Sequence, residues 1–392
     1  MIIGIFTDTY FPDLNGVATA TKILRDVLVE HGHEVIVVTT GLKGQKKFTF
    51  ENGIMRIPGA SLSFLYDYRM SFFFNQKAYR ELKKIKFDLF HIQQEFGISI
   101  FGRICAKLFD VPLVYTYHTS YADYSNYVSH TKVSERYMQK VIVSLVKRIL
   151  SMNGEIITPS IKSRKILLGY GVRRYINVVP NAIDLSSYSK ERDREREKWF
   201  RKEYDLEGKR ILLYLGRVAE EKNVEEVMRG FNGYCLRYND SRTALLIVGG
   251  GPELERLKEV KEELSFKDSI LFMGMVPHED TTFYYQMADV FVSASLSETQ
   301  GLTYSEAIAS SCPILAKFDF NLEFLIQDGV TGFYYDDLDS LIDRIDEVLS
   351  LTAEERKRLI EAAKRRNNYL FSKETYYERI MHVYRKAIRH RF

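Results

Sequence analysis

The sequence predicts an α/β protein built from two Rossmann-like units, and three observations carry that prediction. Its 392 residues exceed what a single hydrophobic core usually supports. Short β-branched apolar runs alternate with amphipathic stretches in both halves, the pattern of parallel strands joined by right-handed crossovers. Hydrophobic residues at 45% and charged residues at 28% exclude a largely disordered or fibrous chain.

In the first half the strands read IIGIF (2–6), EVIVVTT (34–40), DLFHI (88–92), PLVYTY (112–117), EIITP (155–159) and NVVP (177–180). Helices fall between them from Gly16 to His31 and near Phe72–Lys86. The second half repeats the plan with strands at Arg210–Gly216, Ala244–Gly249, Ser269–Met273, Asp289–Ala294 and Pro313–Lys317, each followed by a helical stretch. The charge-dense SKERDREREKWF (189–200) reads as an exposed helix opening the second domain. The boundary is placed near Asp184–Ser189, giving domains 1–186 and 187–371. The basic, amphipathic stretch 372–392 has a tether that reaches either domain, and packing back on the first is one of its two options.

Cys105, Cys235 and Cys312 lie far apart with no CxxC and no nearby histidine cluster. Neither a disulfide framework nor a zinc site is suggested, and a reducing compartment fits. The N-terminus lacks a basic leader region, and no run reaches the ~18 apolar residues of a spanning helix. The net charge of +4 conceals an asymmetry: residues 1–180 hold 24 Lys and Arg against 14 Asp and Glu, leaving the remainder acidic. A basic face of this kind attracts anionic surfaces.

In open α/β sheets ligands bind beyond the carboxyl ends of the strands. After RILLYLG come Arg217 and Lys222, a planar fork and a point charge suited to a diphosphate. They also read as solvated cations flanking Glu220 and Glu221, and the segment alone does not choose. After DVFVSA stands SETQGLTYSEA (297–307), where Glu298 and Glu306 lie either side of Gly301 and a helix starts around Leu302. Backbone N–H groups at that helix start favour an anion. Glu306, placed in the first turn, suits two ribose hydroxyls and Glu298 suits sugar hydroxyls; a macrodipole role for one and a capping role for the other compete with this. Gly16 opens the first helix without a GxGxxG, which disfavours a dinucleotide cofactor. His118 ends the strand PLVYTY, a position where a lone histidine is more often structural.

GRVAEEK, the Glu298–Glu306 pair, ITPS (157–160), VVPNAID (178–184) and their order resemble the family-4 retaining glycosyltransferases over nearly the whole chain. FTDTYFPDLNGVATA, YTYHTSYADY and AKFDFNLEFLIQDG more narrowly resemble the bacterial enzymes that glucosylate diacylglycerol. The resemblance implies a GT-B architecture, two Rossmann-like domains facing across a cleft. It implies that Arg217 and Lys222 neutralise the donor diphosphate, Glu306 holds the ribose and Glu298 meets sugar hydroxyls. Thr299, Gly301 and Leu302 would offer backbone to sugar and phosphate, with the base near Met275 and Val276. Gly16 would let the first loop approach the phosphates and His118 would lie beside the transferred sugar, with Tyr121 and Asp123 toward the acceptor. The chain departs from the commoner pattern at Ala182, Gly250 and Phe318–Asn321. The last replaces glycines and leaves sugar identity less secure than nucleotide binding.

The implied reaction is retaining transfer of a hexose, glucose from UDP-glucose, to diacylglycerol. The implied partners are the nucleotide-sugar, diacylglycerol and an anionic membrane surface, with no nucleic acid. The location is cytoplasmic, peripheral to the inner face of the cell membrane. Segments 132–150 and 64–86 mix aromatic and basic residues as interfacial anchors do, although a core-facing helix with a solvated basic side reads similarly. No DxD-like pair stands at a strand end, so no tightly bound metal and no cofactor are expected. Rival readings are a glycan or protein acceptor, an inactive nucleotide-sugar-binding subunit, and a nicotinamide oxidoreductase.

Overall fold

The computed structural model describes residues 1–13, 15–62, 68–71, 74–95, 97–118, 144, 147, 154–185, 188, 190–295, 298 and 301–390. Two compact units divide it: residues 1–182 with 373–392, and residues 183–372.

The first unit is a sheet of β1 (Ile2–Phe6), β2 (Glu34–Thr40), β3 (Thr49–Glu51), β4 (Ile54–Ile57), β7 (Leu89–Ile92), β8 (Leu113–Thr116), β9 (Glu155–Thr158) and β10 (Ile176–Val178), with a separate hairpin of β5 (Gly59–Leu62) and β6 (Tyr68–Ser71). The order is β10-β9-β8-β7-β1-β2-β4-β3, parallel throughout except for β3 on β4. Helices α1 (Gly16–Glu30), α2 (Gln76–Lys83), α3 (Gly97–Phe109) and α4 (Ile161–Gly169) cross over between strands. Asn15, Asn75 and Ser160 each accept a hydrogen bond from the third residue beyond, which fixes where α1, α2 and α4 begin. The chain crosses from β1 to β2 on one side and to β7 on the other, so the carboxyl ends of β1 and β7 flank a switch point.

In the second unit α5 (Arg194–Glu203), capped by Asp193, leads into β11 (Arg210–Leu215), α6 (Val224–Tyr238), β12 (Thr243–Val248), α7 (Leu254–Glu262) and β13 (Ile270–Gly274). Then come α8 (Thr281–Met287), β14 (Val290–Ser293), α9 (Leu302–Ala309), β15 (Ile314–Lys317), β16 (Phe333–Tyr335), α10 (Leu338–Leu349) and α11 (Ala353–Phe371). All six strands are parallel in the order β13-β12-β11-β14-β15-β16. Every residue of β12 is buried and β11 is buried beyond Arg210, which is why these strands read as unbroken apolar runs. The switch point lies between β11 and β14.

After α11 the chain returns to the first unit as α12 (Lys373–Arg389). Tyr376, Ile380, Met381, Val383, Tyr384 and Ala387 of α12 share one core with Leu24, Val27 and Leu28 of α1 and with Ile3, Val37, Leu89 and Val114 of the sheet. The i, i+4 spacing of the α12 residues makes a single apolar stripe. Among the described residues no helix is long and apolar enough to cross a membrane.

Candidate functional sites at the carboxyl ends of the sheets

The switch point of the second unit brings charged side chains from two loops together. Beyond β11, the Tyr214 hydroxyl donates to the Arg217 carbonyl at 2.7 Å, pinning the turn that leads to a single 3-10 turn at Glu220–Lys222. The backbone of this turn lies against the loop after β12: Val218 N donates to Gly250 O at 3.0 Å. The approach is so close that a Cβ on Gly249 would stand 1.9 Å from the Gly216 carbonyl oxygen. Lys222 Nζ donates to Glu298 Oε1 at 2.8 Å and to Ser295 Oγ at 3.2 Å, both beyond β14. Glu298 N donates in turn to Asp319 Oδ2 at 3.2 Å, and Asp319 Oδ1 accepts from Asn321 N and Nδ2 at 2.8 Å each. The stretch 318–321, which the sequence flags for its missing glycines, is therefore braced by a carboxylate. Arg217 is exposed, and among the described residues its guanidinium has no hydrogen-bond or ion-pair partner.

Glu306 belongs to a different set of contacts from Glu298. Helix α9 begins at Leu302 behind Gly301, whose φ of 67° suits glycine. Glu306 therefore lies in the second turn and not in the first as the sequence suggested, and the competing macrodipole role loses its basis. Gly301 occupies the cap position, so Glu298 does not cap α9. Glu306 Oε2 accepts from the Tyr285 hydroxyl at 3.2 Å, and Oε1 lies 3.7 Å from His278 Nε2. His278 Nε2 is in turn 3.1 Å from the Tyr188 hydroxyl. Burial raises the Glu306 carboxyl above its ordinary range, against the opposing pull of His278 and the Tyr188 and Tyr285 hydroxyls. Met275, 85% exposed, and Val276 follow the carboxyl end of β13. Thr299 lies outside the described residues.

In the first unit Gly16 opens α1 with no atom within 4 Å of where a side chain would begin. Beyond β1 and β7, Gln94 Oε1 accepts from Thr7 Oγ1, Asp8 N and Thr9 N at 3.0, 2.7 and 3.1 Å, tying the two loops together. Asp8 is fully buried and accepts from Ile98 N at 2.7 Å; burial pushes its carboxyl up to about 8. His118, at the end of β8, has Nε2 2.7 Å from Gln93 Oε1. Its surroundings exclude enough water to lower the imidazole to about 4. Tyr121, Asp123, most of 132–150 and the start of 64–86 lie outside the described residues.

The structure thus joins Lys222 to Glu298 directly, and leaves Arg217 open beside the same strand. Ser295, Tyr285, His278 and Gln93 escaped the sequence reading, and Asp319 stood in it only as part of the stretch that replaces glycines. Each lies at or beyond a strand's carboxyl end except Tyr285, which projects from α8.

Residues 14–187 match Glycosyltransferase Family 4 and residues 195–366 match Glycosyl transferases group 1. The chain is 36% identical over 337 residues to the alpha-monoglucosyldiacylglycerol synthase of Streptococcus pneumoniae, covering 86% of this chain and 75% of that one. It is 31% identical over 357 residues to the synthase of the same name from Acholeplasma laidlawii, covering 87% and 86%. In fold it is similar to the Anabaena protein HepE, solved in complex with UDP and glucose, with a TM-score of 0.67 and 16% identity over 98% of this chain and 100% of that one.

Proposed function

The chain belongs to the family-4 glycosyltransferases of GT-B fold and is a nucleotide-sugar-dependent hexosyltransferase, and from that premise we propose that it moves glucose from UDP-glucose to diacylglycerol with retention, at the cytosolic face of the membrane. The carrying observation is the Lys222–Glu298 pair at the switch point of the second sheet. The names of the two synthase relatives support the acceptor and the sugar. The alpha in those names, set beside the alpha linkage of the UDP-glucose proposed as donor, supports retention. The basic first half supports an anionic membrane surface.

In this reading the bond between the sugar's anomeric carbon and the diphosphate breaks, and negative charge grows on the leaving phosphate oxygen. Arg217, open to solvent, and Lys222 stabilise that charge, commonly the largest catalytic contribution. The free amides at the start of α9 add to it. Glu298 holds Lys222 in place and offers its second oxygen to sugar hydroxyls. Glu306 binds the ribose through the oxygen facing His278. The acceptor hydroxyl attacks from the face the diphosphate leaves, its oxygen bonds to the anomeric carbon, and its proton passes to the departing phosphate oxygen.

The test is a product assay with purified protein, diacylglycerol in anionic vesicles, and UDP-glucose, UDP-galactose or GDP-mannose offered separately. Mass spectrometry of the extracted lipid is expected to show one added hexose from UDP-glucose alone. Slow donor hydrolysis with no lipid product would overturn the acceptor and leave the transferase.

A further inference from the structure

β7 and β8 run in parallel with His91 opposite Val114, and alternate residues share a face. On the face that carries Leu89 and Val114 into the core with α12, the next step toward the carboxyl end is His91 beside Thr116, and the next is Gln93 beside His118. The first polar step is closed: His91 Nδ1 is 2.7 Å from the Tyr384 hydroxyl and Nε2 is 2.7 Å from Thr116 Oγ1. The second is open. Gln93 is 2% exposed, its Oε1 meets His118 Nε2 at 2.7 Å, and its buried amide nitrogen has no hydrogen-bond partner among the described residues. A donor shut off from water and left without an acceptor is destabilising, so the site favours a ligand oxygen there. His118 Nδ1 likewise has no partner among the described residues.

We propose that Gln93 is a positioning residue whose carbonyl oxygen holds His118 as the Nε2–H tautomer, presenting the Nδ1 lone pair to the ligand, while its open amide N–H binds a hydroxyl oxygen of that ligand. The proposal rests on the reading of His118 as lining the transfer site. A carboxamide suits the task because its oxygen is neutral: it fixes the N–H without drawing a second proton onto the ring. The lowered imidazole agrees with a ring that stays uncharged.

The test uses the full chain labelled with 15N-histidine, with the His118 resonances identified by their loss in His118→Asn. The wild-type ring is expected to carry its proton on Nε2 alone. Gln93→Met fills similar space without an acceptor or donor, so the ring is expected to average between tautomers and kcat to fall about tenfold or more. Gln93→Glu keeps an oxygen on Nε2–H, removes the amide N–H and, being charged, favours a second proton on Nδ1: Nε2 stays protonated, while KM rises about tenfold for the substrate whose hydroxyl the N–H binds. A rise in donor KM assigns that hydroxyl to the sugar, and a rise in acceptor KM assigns it to the acceptor. An Nδ1–H tautomer in the wild type, an unchanged ring in Gln93→Met, or unchanged KM values in Gln93→Glu would overturn the proposal. If Gln93→Met does not fold, the wild-type tautomer and Gln93→Glu still decide. A wild-type chain that transfers no sugar would sink the functional reading, while the tautomer would still judge Gln93.

Discussion

Lys222 Nζ stands 2.8 Å from Glu298 Oε1, and this contact joins the loop after β11 to the loop after β14. The two partners are not equally buried, with side chains 26% and 11% exposed. Removing the lysine therefore strands the more buried charge. Lys222→Met is expected to cost about 1–3 kcal/mol, read as a lowered Tm. Glu298→Gln leaves the more exposed cation and keeps a hydrogen-bonding oxygen, so its Tm is expected to stay near that of the wild type. Both are expected to lower kcat about 100-fold. A Tm that falls further in Glu298→Gln than in Lys222→Met contradicts this ordering.

Two glycines separate fold from function. A Cβ on Gly249 would collide with the Gly216 carbonyl, and its φ of 139° disfavours any side chain. Gly249→Ala is expected to destabilise the second unit by roughly 1–3 kcal/mol. Gly16 has open space and an ordinary φ at the start of α1, so Gly16→Ala is expected to leave Tm unchanged or slightly raised. It is expected to raise donor KM, since the methyl enters space proposed for the phosphates. Thermal melts beside steady-state kinetics check both.

The stability of the first unit should pass through a maximum near pH 6.5. Burial lowers His91 to about 3 and His118 to about 4, below the ordinary 6.5, so both contribute fully above 6.5 and lose stability as pH falls through that window. Asp8 is raised from 3.8 to about 8, so its buried neutral form loses stability as pH rises toward 8. Between about 4 and 6.5 these two imidazoles, joined by His33, which burial also lowers, outweigh one carboxyl; from 6.5 to 8 Asp8 sets the slope among these groups, at most ~1.4 kcal/mol per pH unit. Melts from pH 4 to 9 check this, with Asp8→Asn expected to flatten the alkaline limb. A wild-type Tm that climbs from 6.5 to 8 contradicts it.

Truncation after Ser372 removes α12 and the six side chains it buries in the first unit's core. Five of the six are large, and at roughly 1.5–3 kcal/mol each the loss is comparable with the whole ~5–15 kcal/mol that stabilises a domain. The truncated chain is expected to aggregate or to show a melt for the second unit alone. A soluble protein with both transitions intact would refute the core role of α12.

Much of this was legible in the sequence because buried parallel strands are contiguous apolar runs: IIGIF, EVIVVTT and RILLYLG appear where the sheets hold them. The three-residue strands β3 and β16 are too short to show a period. Lys222 and Glu298 were legible as positions beyond strand ends, but their contact joins residues far apart in sequence, which periodicity does not encode. The Asp319 contact with Glu298 and the place of His278 beside Glu306 were missed for the same reason, as they come from the loops after β15 and β13. Gln93 was missed although it sits two residues beyond His91 at the end of its strand. Strand alternation alone puts it on the face of His118 once the pairing of β7 with β8 is known. The start of α9 at Leu302 was legible, and at about 3.6 residues per turn the fifth residue, Glu306, falls in the second turn and not the first.

UDP-glucose turnover by Arg217→Ala decides whether the β11–β14 switch point holds the leaving diphosphate. Arg217 is exposed and holds no partner among the described residues, so its loss leaves the fold alone. The variant's Tm is expected to equal that of the wild type and its kcat to be lower by about 100-fold or more. Turnover close to the wild-type rate would contradict the assignment of the leaving diphosphate to the β11–β14 switch point.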